Sequence, residues 1–272
     1  MRWRSPLADE RRRYLQQQME LGGAEVVLSA GQRVGGTAGQ RDSRPPKRTE
    51  IVPADASGNA RWKRGAPPIP GPGLAVETPA HPLLGDGLES LNTLEEIAER
   101  IRTTHCCALC SSRTNAVPGE GNPNARLMLV GEGPGATEDA TGRPFVGQAG
   151  SLLDGILEAI EVPRDSVYIT NVVKCRPPGN RKPLPDEVAA CIPYLYRQLE
   201  LIRPKVILAL GGTAGENLLG VRKSLGELRG KVHTLNGIPL VVTYHPAALL
   251  RNPNWKKPTW DDVRIVRQLL DR

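Results

Sequence analysis

The sequence is poor in aromatic side chains, with one phenylalanine, four tryptophans and five tyrosines among 272 residues. It has no run of about twenty apolar residues, and no apolar segment near its amino terminus followed by a small-residue cleavage site. No membrane span or secretory signal is therefore expected, and a soluble, cytoplasmic monomer is. An even cysteine set is also lacking: there are five, all between Cys106 and Cys191. An odd, clustered set suits a metal centre in a reducing compartment better than a disulfide framework. Branched apolar residues are scarce between 31 and 83, where Gly, Pro, Arg and Ala dominate. Such a stretch buries too little apolar surface to offset the entropy of ordering its backbone. Residues 1–90 are accordingly expected to form a disordered, basic, Pro/Gly-rich extension, in which only 7–21 (LADERRRYLQQQMEL) has helix formers enough for a short charged helix.

The formal charge is +7 and the pI near 9.3. A basic excess favours polyanionic partners, because neutralised phosphates release condensed counterions. Here the excess is spread along the chain with no dominant basic block, so a merely solvated basic surface explains it equally well.

From residue 91 the pattern alternates between helix and strand. Helical spacing is expected over 91–102, where Leu94, Ile97 and Ile101 share a face, and again over 149–160, 186–202, 213–219 and 260–270. Apolar runs at 125–131 (ARLMLVG), 167–173 (VYITNVV), 205–210 (KVILAL) and 238–243 (IPLVVT) read as buried strands. Strands separated by helices imply an α/β fold, three-layer α/β/α, with a central and mainly parallel four-stranded sheet in a domain spanning 91–272. In such sheets ligands sit beyond the carboxyl ends of the strands. That rule points to the loops 131–150, 171–185, 211–215 and 244–254.

Three of those loops hold unusual residues. Cys107 and Cys110 form a C-x-x-C pair, and Cys175 and Cys191 follow the second strand. Four thiolates complete a tetrahedral set for zinc or an iron-sulfur cluster, between which spacing does not choose. Buried thiols acting as small hydrophobes are the competing reading, although His105, Ser111, Ser112 and Arg113 beside the pair make a polar setting. Cys106 is left as the spare.

The loop opening at Gly131 fits the outline G-x-G-x-x-A, but no helix begins directly in it and the second strand carries Asn171 where a dinucleotide site needs an acid. A nicotinamide reading therefore falls behind. Phe145, the lone phenylalanine, lies in this loop, either as a stacking platform for a planar base or as a plug that anchors the loop. Glu132 and Glu138 could orient water and steady a cationic sugar, while Glu138 and Asp139 also suit a helix start.

Taken together, several blocks resemble the family 4 uracil-DNA glycosylases: the C-x-x-C pair, GEGPGATEDATGRPFVGQAG (131–150), TNVVKCRPPGNRKP (170–183), Cys191 and HPAALLRNP (245–253). The likeness runs from about 94 to 272. It implies an enzyme that hydrolyses the N-glycosidic bond of deoxyuridine in single- and double-stranded DNA, leaving an abasic site and an uncut backbone. A catalytically inactive iron-sulfur module that only binds or senses damaged DNA is the alternative. The resemblance further implies that Cys107, Cys110, Cys175 and Cys191 hold a 4Fe-4S cluster. Phe145 would stack on the extruded base and Asn171 would pair with its polar edge, with Gly133 and Asn180 belonging to the same substrate site. His245 would hydrogen-bond the departing ring, Glu132 and Glu138 would serve the hydrolysis, Leu249 and Leu250 would wedge into the duplex, and Arg251 would meet phosphate. Gly133 falls where another uracil glycosylase family carries a water-orienting aspartate. As partners it implies uracil-containing DNA, with other repair proteins or a sliding clamp as candidates for the amino-terminal segment. For His245, a plain helix-capping role before Pro246 is the competing reading.

Overall fold

The computed structural model describes residues 60–78 and 87–272. The helix expected over 7–21 lies outside them, as does any docking of a repair partner on the amino-terminal segment.

Four parallel strands form the middle of the sheet: β3 (Leu127–Gly131), β4 (Tyr168–Asn171), β5 (Val206–Leu210) and β7 (Ile238–Thr243). These are the four strands legible in the sequence, and they pair in the order β7-β5-β3-β4. Because successive strand residues point to opposite faces, each strand contributes to two cores. Met128, Val130, Ile207, Ala209, Leu240 and Val242 pack on one face with Leu195 and Leu199 of helix α5 (Pro185–Ile202). On the other face Leu127, Leu129, Ile169, Leu208 and Val241 meet Leu153 and Leu157 of α4 (Gln148–Ala159) and Val263 and Val266 of α9 (Lys256–Asp271). The three-layer α/β/α architecture follows from this division. At ~1.5–3 kcal/mol per fully buried branched side chain, these two faces supply the main driving force for folding.

The expected sheet of four strands is corrected to seven, with the order β1-β6-β7-β5-β3-β4-β2. The additions flank the central four: β2 (Glu120–Gly121), an edge strand antiparallel to β4, and β6 (Val232–Leu235), antiparallel to β7. β1 (Pro72–Val76) pairs parallel to β6. β6 and β7 are joined by Asn236-Gly237, both with positive φ (49° and 79°), the pair that a tight two-residue hairpin demands. β1 carries a proline at its first position, which an edge strand tolerates because no ladder bond is lost there.

β1 belongs to the stretch 60–78, for which composition suggests no order. Its order is borrowed from the domain: Trp62 is buried on the α9 face, with the Arg267 guanidinium 5.4 Å from its ring centre. Arg264 donates to the Arg64 carbonyl (3.1 Å) and Gln268 to that of Pro67 (2.9 Å). Leu74 N–H donates to His233 Nδ1 at 3.0 Å.

Helix α1 (Leu94–Thr103) starts at a capping box, in which the Thr93 hydroxyl accepts from Glu96 N–H and the Glu96 carboxylate accepts from Thr93 N–H. Its face of Ile97 and Ile101 buries against Tyr194 of α5. Short helices complete the chain: α2 (Leu109–Ser112), α3 (Ala136–Thr141), α6 (Gly212–Leu219), α7 (Leu225–Leu228) and α8 (Pro246–Arg251). Among the described residues no helix is long and apolar enough to cross a membrane.

Candidate active site

A cavity of about 420 Å³ opens beyond the carboxyl ends of β3, β4, β5 and β7, where strand order places a ligand site in an open α/β sheet. Its walls include Glu132, Gly133, Glu138, Phe145, Asn171, Asn180, His245 and Arg251. The structure thus brings together all of these sequence-derived candidates.

Asn171 ends β4 and is buried. Its side-chain Oδ1 has no hydrogen-bond partner among the described residues. An unpartnered buried amide oxygen costs about 1–3 kcal/mol, which a docked donor would recover. The Asn171 backbone is fixed from two sides. It lies in register with Gly131, and its carbonyl accepts from Lys174 Nζ at 2.8 Å. Lys174 is itself buried and donates also to Thr170 Oγ1 (2.6 Å) and Gln198 Oε1 (2.9 Å); burial lowers its pKa to about 7.

Phe145 packs in the α4/α9 core, as the plug reading requires, and it also lines the cavity. Its φ of 51° is costly for a side chain of this bulk, so the surrounding loop must hold it. Glu138 provides that hold. Its Oε1 accepts from Val146 N–H and Gly147 N–H, both at 3.0 Å, and its Oε2 from Gly135 N–H at 3.2 Å. Glycine is required beneath: a Cβ on Gly131 would collide with both Asn171 Oδ1 and the Phe145 ring, and one on Gly150 with the Phe145 carbonyl.

Glu132 differs from Glu138. Half-buried at the cavity wall, its carboxylate makes no hydrogen bond or ion pair among the described residues. Gly133 beside it faces Val173, whose Cγ2 would lie 2.7 Å from an added Cβ, so a side chain at 133 would have to displace that of Val173.

His245 follows β7 and caps α8, with Nδ1 accepting from Ala247 N–H at 3.2 Å. The capping role and the cavity role therefore coexist. An acceptor at Nδ1 leaves the proton of the neutral ring on Nε2. Burial, reinforced by Arg251, lowers the pKa to about 4, against a smaller raising effect of Glu138. The imidazole is neutral at physiological pH and lies 5.4 Å from the Phe145 ring, centre to centre, with the planes 30° apart.

The α8 leucines require a correction. Leu249 is buried at 1% exposure, whereas Leu250 is 48% exposed. Helical geometry separates them by about 100° around the axis, so one faces the core when its neighbour faces solvent. Only Leu250 is presented outward, beside the exposed Arg251. Asn180 is exposed at φ 56°, and its Oδ1 accepts from Arg176 Nε at 2.8 Å.

The cysteines form one centre. Cys110 Sγ lies 3.9 Å from Cys107 Sγ and 3.8 Å from Cys175 Sγ, and the sulfurs of Cys106, Cys107 and Cys191 are within 4.8 Å of one another. Cys106 Sγ is 3.9 Å from Cys110 Sγ, so the residue set aside as spare belongs spatially to the same group, although it is exposed. Arg113 Nη1 donates to Cys175 Sγ at 3.2 Å. A sulfur-only donor set with a cationic hydrogen-bond donor beside it is compatible with an iron-sulfur cluster.

Sequence reasoning passed over Tyr244 and Trp255, which line the same cavity and stack with ring centres 4.7 Å apart and planes 9° apart. A tyrosine beside His245 and a tryptophan before two lysines were the available signals.

The architecture is an α/β sheet with a cavity at its strand ends, on whose wall an aromatic ring, an amide and a neutral imidazole meet. Residues 118–268 match the uracil DNA glycosylase superfamily. A type-4 uracil-DNA glycosylase of Sulfurisphaera tokodaii is 46% identical over 188 residues, which cover 66% of this chain and 86% of the relative. One from Thermotoga maritima is 49% identical over 161 residues, covering 58% and 84%. A type-5 uracil-DNA glycosylase of Pyrobaculum aerophilum is 37% identical over 153 residues, covering 49% and 66%. The chain belongs to the uracil DNA glycosylase superfamily, in its type-4 branch.

Proposed function

We propose that the protein excises uracil from single- and double-stranded DNA by hydrolysing the N-glycosidic bond, which leaves an abasic site and begins base excision repair. The observation that carries this reading is the convergence of Phe145, Asn171 and His245 on one cavity. Extrusion exposes a base that is otherwise stacked in the duplex, at a cost of a few kcal/mol. Phe145 takes the ring face. The unpartnered Asn171 Oδ1 accepts from the uracil imide N–H while the amide nitrogen donates to the neighbouring carbonyl. Cytosine presents an acceptor and an amine at those positions, which the same amide orientation meets donor to donor and acceptor to acceptor.

As the bond to the sugar stretches, negative charge builds on the uracil ring and positive charge on the sugar. His245, neutral and protonated at Nε2, donates to the uracil carbonyl where that charge collects. A preorganised donor of this kind is worth ~3 kcal/mol. A neutral imidazole keeps its proton through the step, so it acts as an electrostatic stabiliser. Of the two carboxylates on the cavity wall, Glu138 is engaged by three backbone amides and holds the Phe145 loop. Glu132, whose carboxylate has no partner among the described residues, is the group suited to position water and steady the cationic sugar. Leu250 fills the space the base leaves, and Arg251 meets phosphate.

Cys107, Cys110, Cys175 and Cys191 hold a 4Fe-4S cluster. Its contribution is architectural: it ties the segment before β3 to the loop after β4 and the helix behind it, which fixes the base-reading loops. The substrate is uracil-containing DNA; repair proteins acting through the amino-terminal segment are further partners, and the protein works in the cytoplasm as a monomer. Incubation with an end-labelled oligonucleotide holding one deoxyuridine, followed by alkali, should give one cleavage product at the uracil. An intact oligonucleotide that is nevertheless bound would favour the damage-sensing alternative.

A further inference from the structure

The described aromatic residues outside the hydrophobic clusters include Tyr244 and Trp255, both half-buried and both on the wall of the base cavity. They stack nearly parallel, and the Arg229 guanidinium lies 4.4 Å from the Tyr244 ring centre. This stack is fixed at several points. Arg229 Nε donates to Asp262 Oδ2 at 2.8 Å and Nη2 to the Pro258 carbonyl at 2.9 Å. The same Asp262 oxygen accepts from Thr243 Oγ1 at 2.6 Å, at the end of β7. Trp255 is pinned through its backbone, its N–H donating to Asn252 O at 3.2 Å and its carbonyl accepting from Thr259 Oγ1 at 2.8 Å. Exposed Arg251, Lys256 and Lys257 flank it.

A rigid aromatic pair held outside the core, on the wall of a cavity and bordered by cations, has the composition of a single-strand binding surface, where bases stack on rings while the backbone tracks positive charge. The cavity wall already provides Phe145, Asn171 and His245 for one base. Tyr244 already meets both Arg229 and Trp255, so of the pair it is Trp255, half-buried and on the cavity wall, that serves as the platform.

We propose that Trp255, stiffened by Tyr244 and Arg229, is a second base platform that stacks the unpaired nucleobase next to the extruded uracil. The proposal rests on the reading of this protein as a uracil-excising enzyme. In duplex DNA the neighbouring base remains in the helical stack, so the platform acts on single-stranded substrate. It is a specificity device, distinct from the chemistry at the glycosidic bond.

The test couples residue to base. Single-stranded oligonucleotides carrying one deoxyuridine are prepared with ordinary neighbours, or with an abasic spacer replacing the base on the 5′ or the 3′ side. Stacking of one base supports about a tenfold change in KM. The wild type should lose about that factor with one of the two spacers, with kcat little changed. Trp255→Leu, which keeps apolar bulk, should lose the same factor on the ordinary single strand and nothing further on that spacer substrate. Trp255→Phe should restore most of it, and in both variants the duplex KM should change by a smaller factor than the single-strand KM. Equal KM for Trp255→Leu and wild type on single strands overturns the proposal, as does a loss that is the same with and without the neighbouring base. Anisotropy with the same oligonucleotides, spacers replacing the uracil, reads the coupling without turnover. Base-dependent binding with no excision would therefore sink the uracil-excision reading alone.

Discussion

The Phe145 ring and the His245 imidazole lie 5.4 Å apart at 30°, although they stand a hundred residues apart in the chain and on loops following different strands. Their spacing leaves the aromatic face and the hydrogen-bonding edge on one wall, with Asn171 completing the site from the adjacent strand end. Phe145 could not occupy this place without glycine at 131 and the Glu138 contacts that hold residue 145 in a left-handed conformation.

That arrangement makes Phe145 both a structural and a substrate-facing residue, and the two roles separate by substitution. Phe145→Ala removes a ring that is 5% exposed and should cost about 3 kcal/mol of stability by cavity formation. Phe145→Leu should recover most of that stability, measured by denaturant unfolding, yet still raise KM for a uracil oligonucleotide severalfold because the flat face is missing. Full activity in the leucine variant would show that the ring is only a plug.

The acid behaviour follows from His245. Its folded pKa is lowered from 6.5 to about 4, so the unfolded chain binds its proton more readily than the folded one. Above about pH 6.5 both states are neutral and this group costs nothing. Between 6.5 and 4 the unfolded state gains the proton first, so stability from this residue falls as pH drops through that window and rises as pH increases. Below about pH 4 a protonated Nδ1 would face the Ala247 N–H it now accepts from, and the cap on α8 would fail. Excision should therefore be insensitive to this group from pH 5 upward and decline toward pH 4. A His245 titration near 6.5, followed by NMR of the ring protons, would contradict the assignment.

Glu132 and Glu138 should part company when each is changed to glutamine. Glu138→Gln weakens charge-assisted bonds to three backbone amides and should lower stability by about 1–2 kcal/mol, with KM rising as the Phe145 loop loosens. Glu132→Gln removes a charge that has no partner among the described residues, so unfolding should shift little while kcat falls at least tenfold. Equal effects on stability and rate in both variants would remove the distinction.

How much of this was legible in the sequence depends on what produces each feature. The four central strands announce themselves because they are buried and mainly apolar, as in VILAL (Val206–Leu210). The outer strands do not: β1 reads PGLAV and is ordered by its pairing with β6, not by its own apolar content. β6 was overlooked even though Asn236-Gly237 marks the hairpin. Asn171 and His245 were readable because polar residues ending apolar runs must face either solvent or a site. The burial of Leu249 was not readable, since two adjacent leucines in a loop give no phase until the helix is set. Tyr244 and Trp255 were missed because their stacking depends on a contact between loops.

The thiol centre gives a prediction independent of activity. Protein purified without oxygen should be brown, with a broad absorbance near the visible edge and about four irons per chain, since a 4Fe-4S cluster holds four. Cys175→Ser should lose iron, because Cys175 is buried and accepts from Arg113. Cys106→Ser should keep it, as the exposed thiol of the five. Loss of iron on changing Cys106 alone would transfer the ligand role to it.

The most direct measurement is the single-turnover rate of uracil release by Asn171→Ala and His245→Ala, each shown by circular dichroism and unfolding to remain folded. A convergent pocket predicts that each variant slows release at least tenfold, equivalent to ~1.4 kcal/mol or more of lost transition-state stabilisation. Wild-type rates in both folded variants would contradict it.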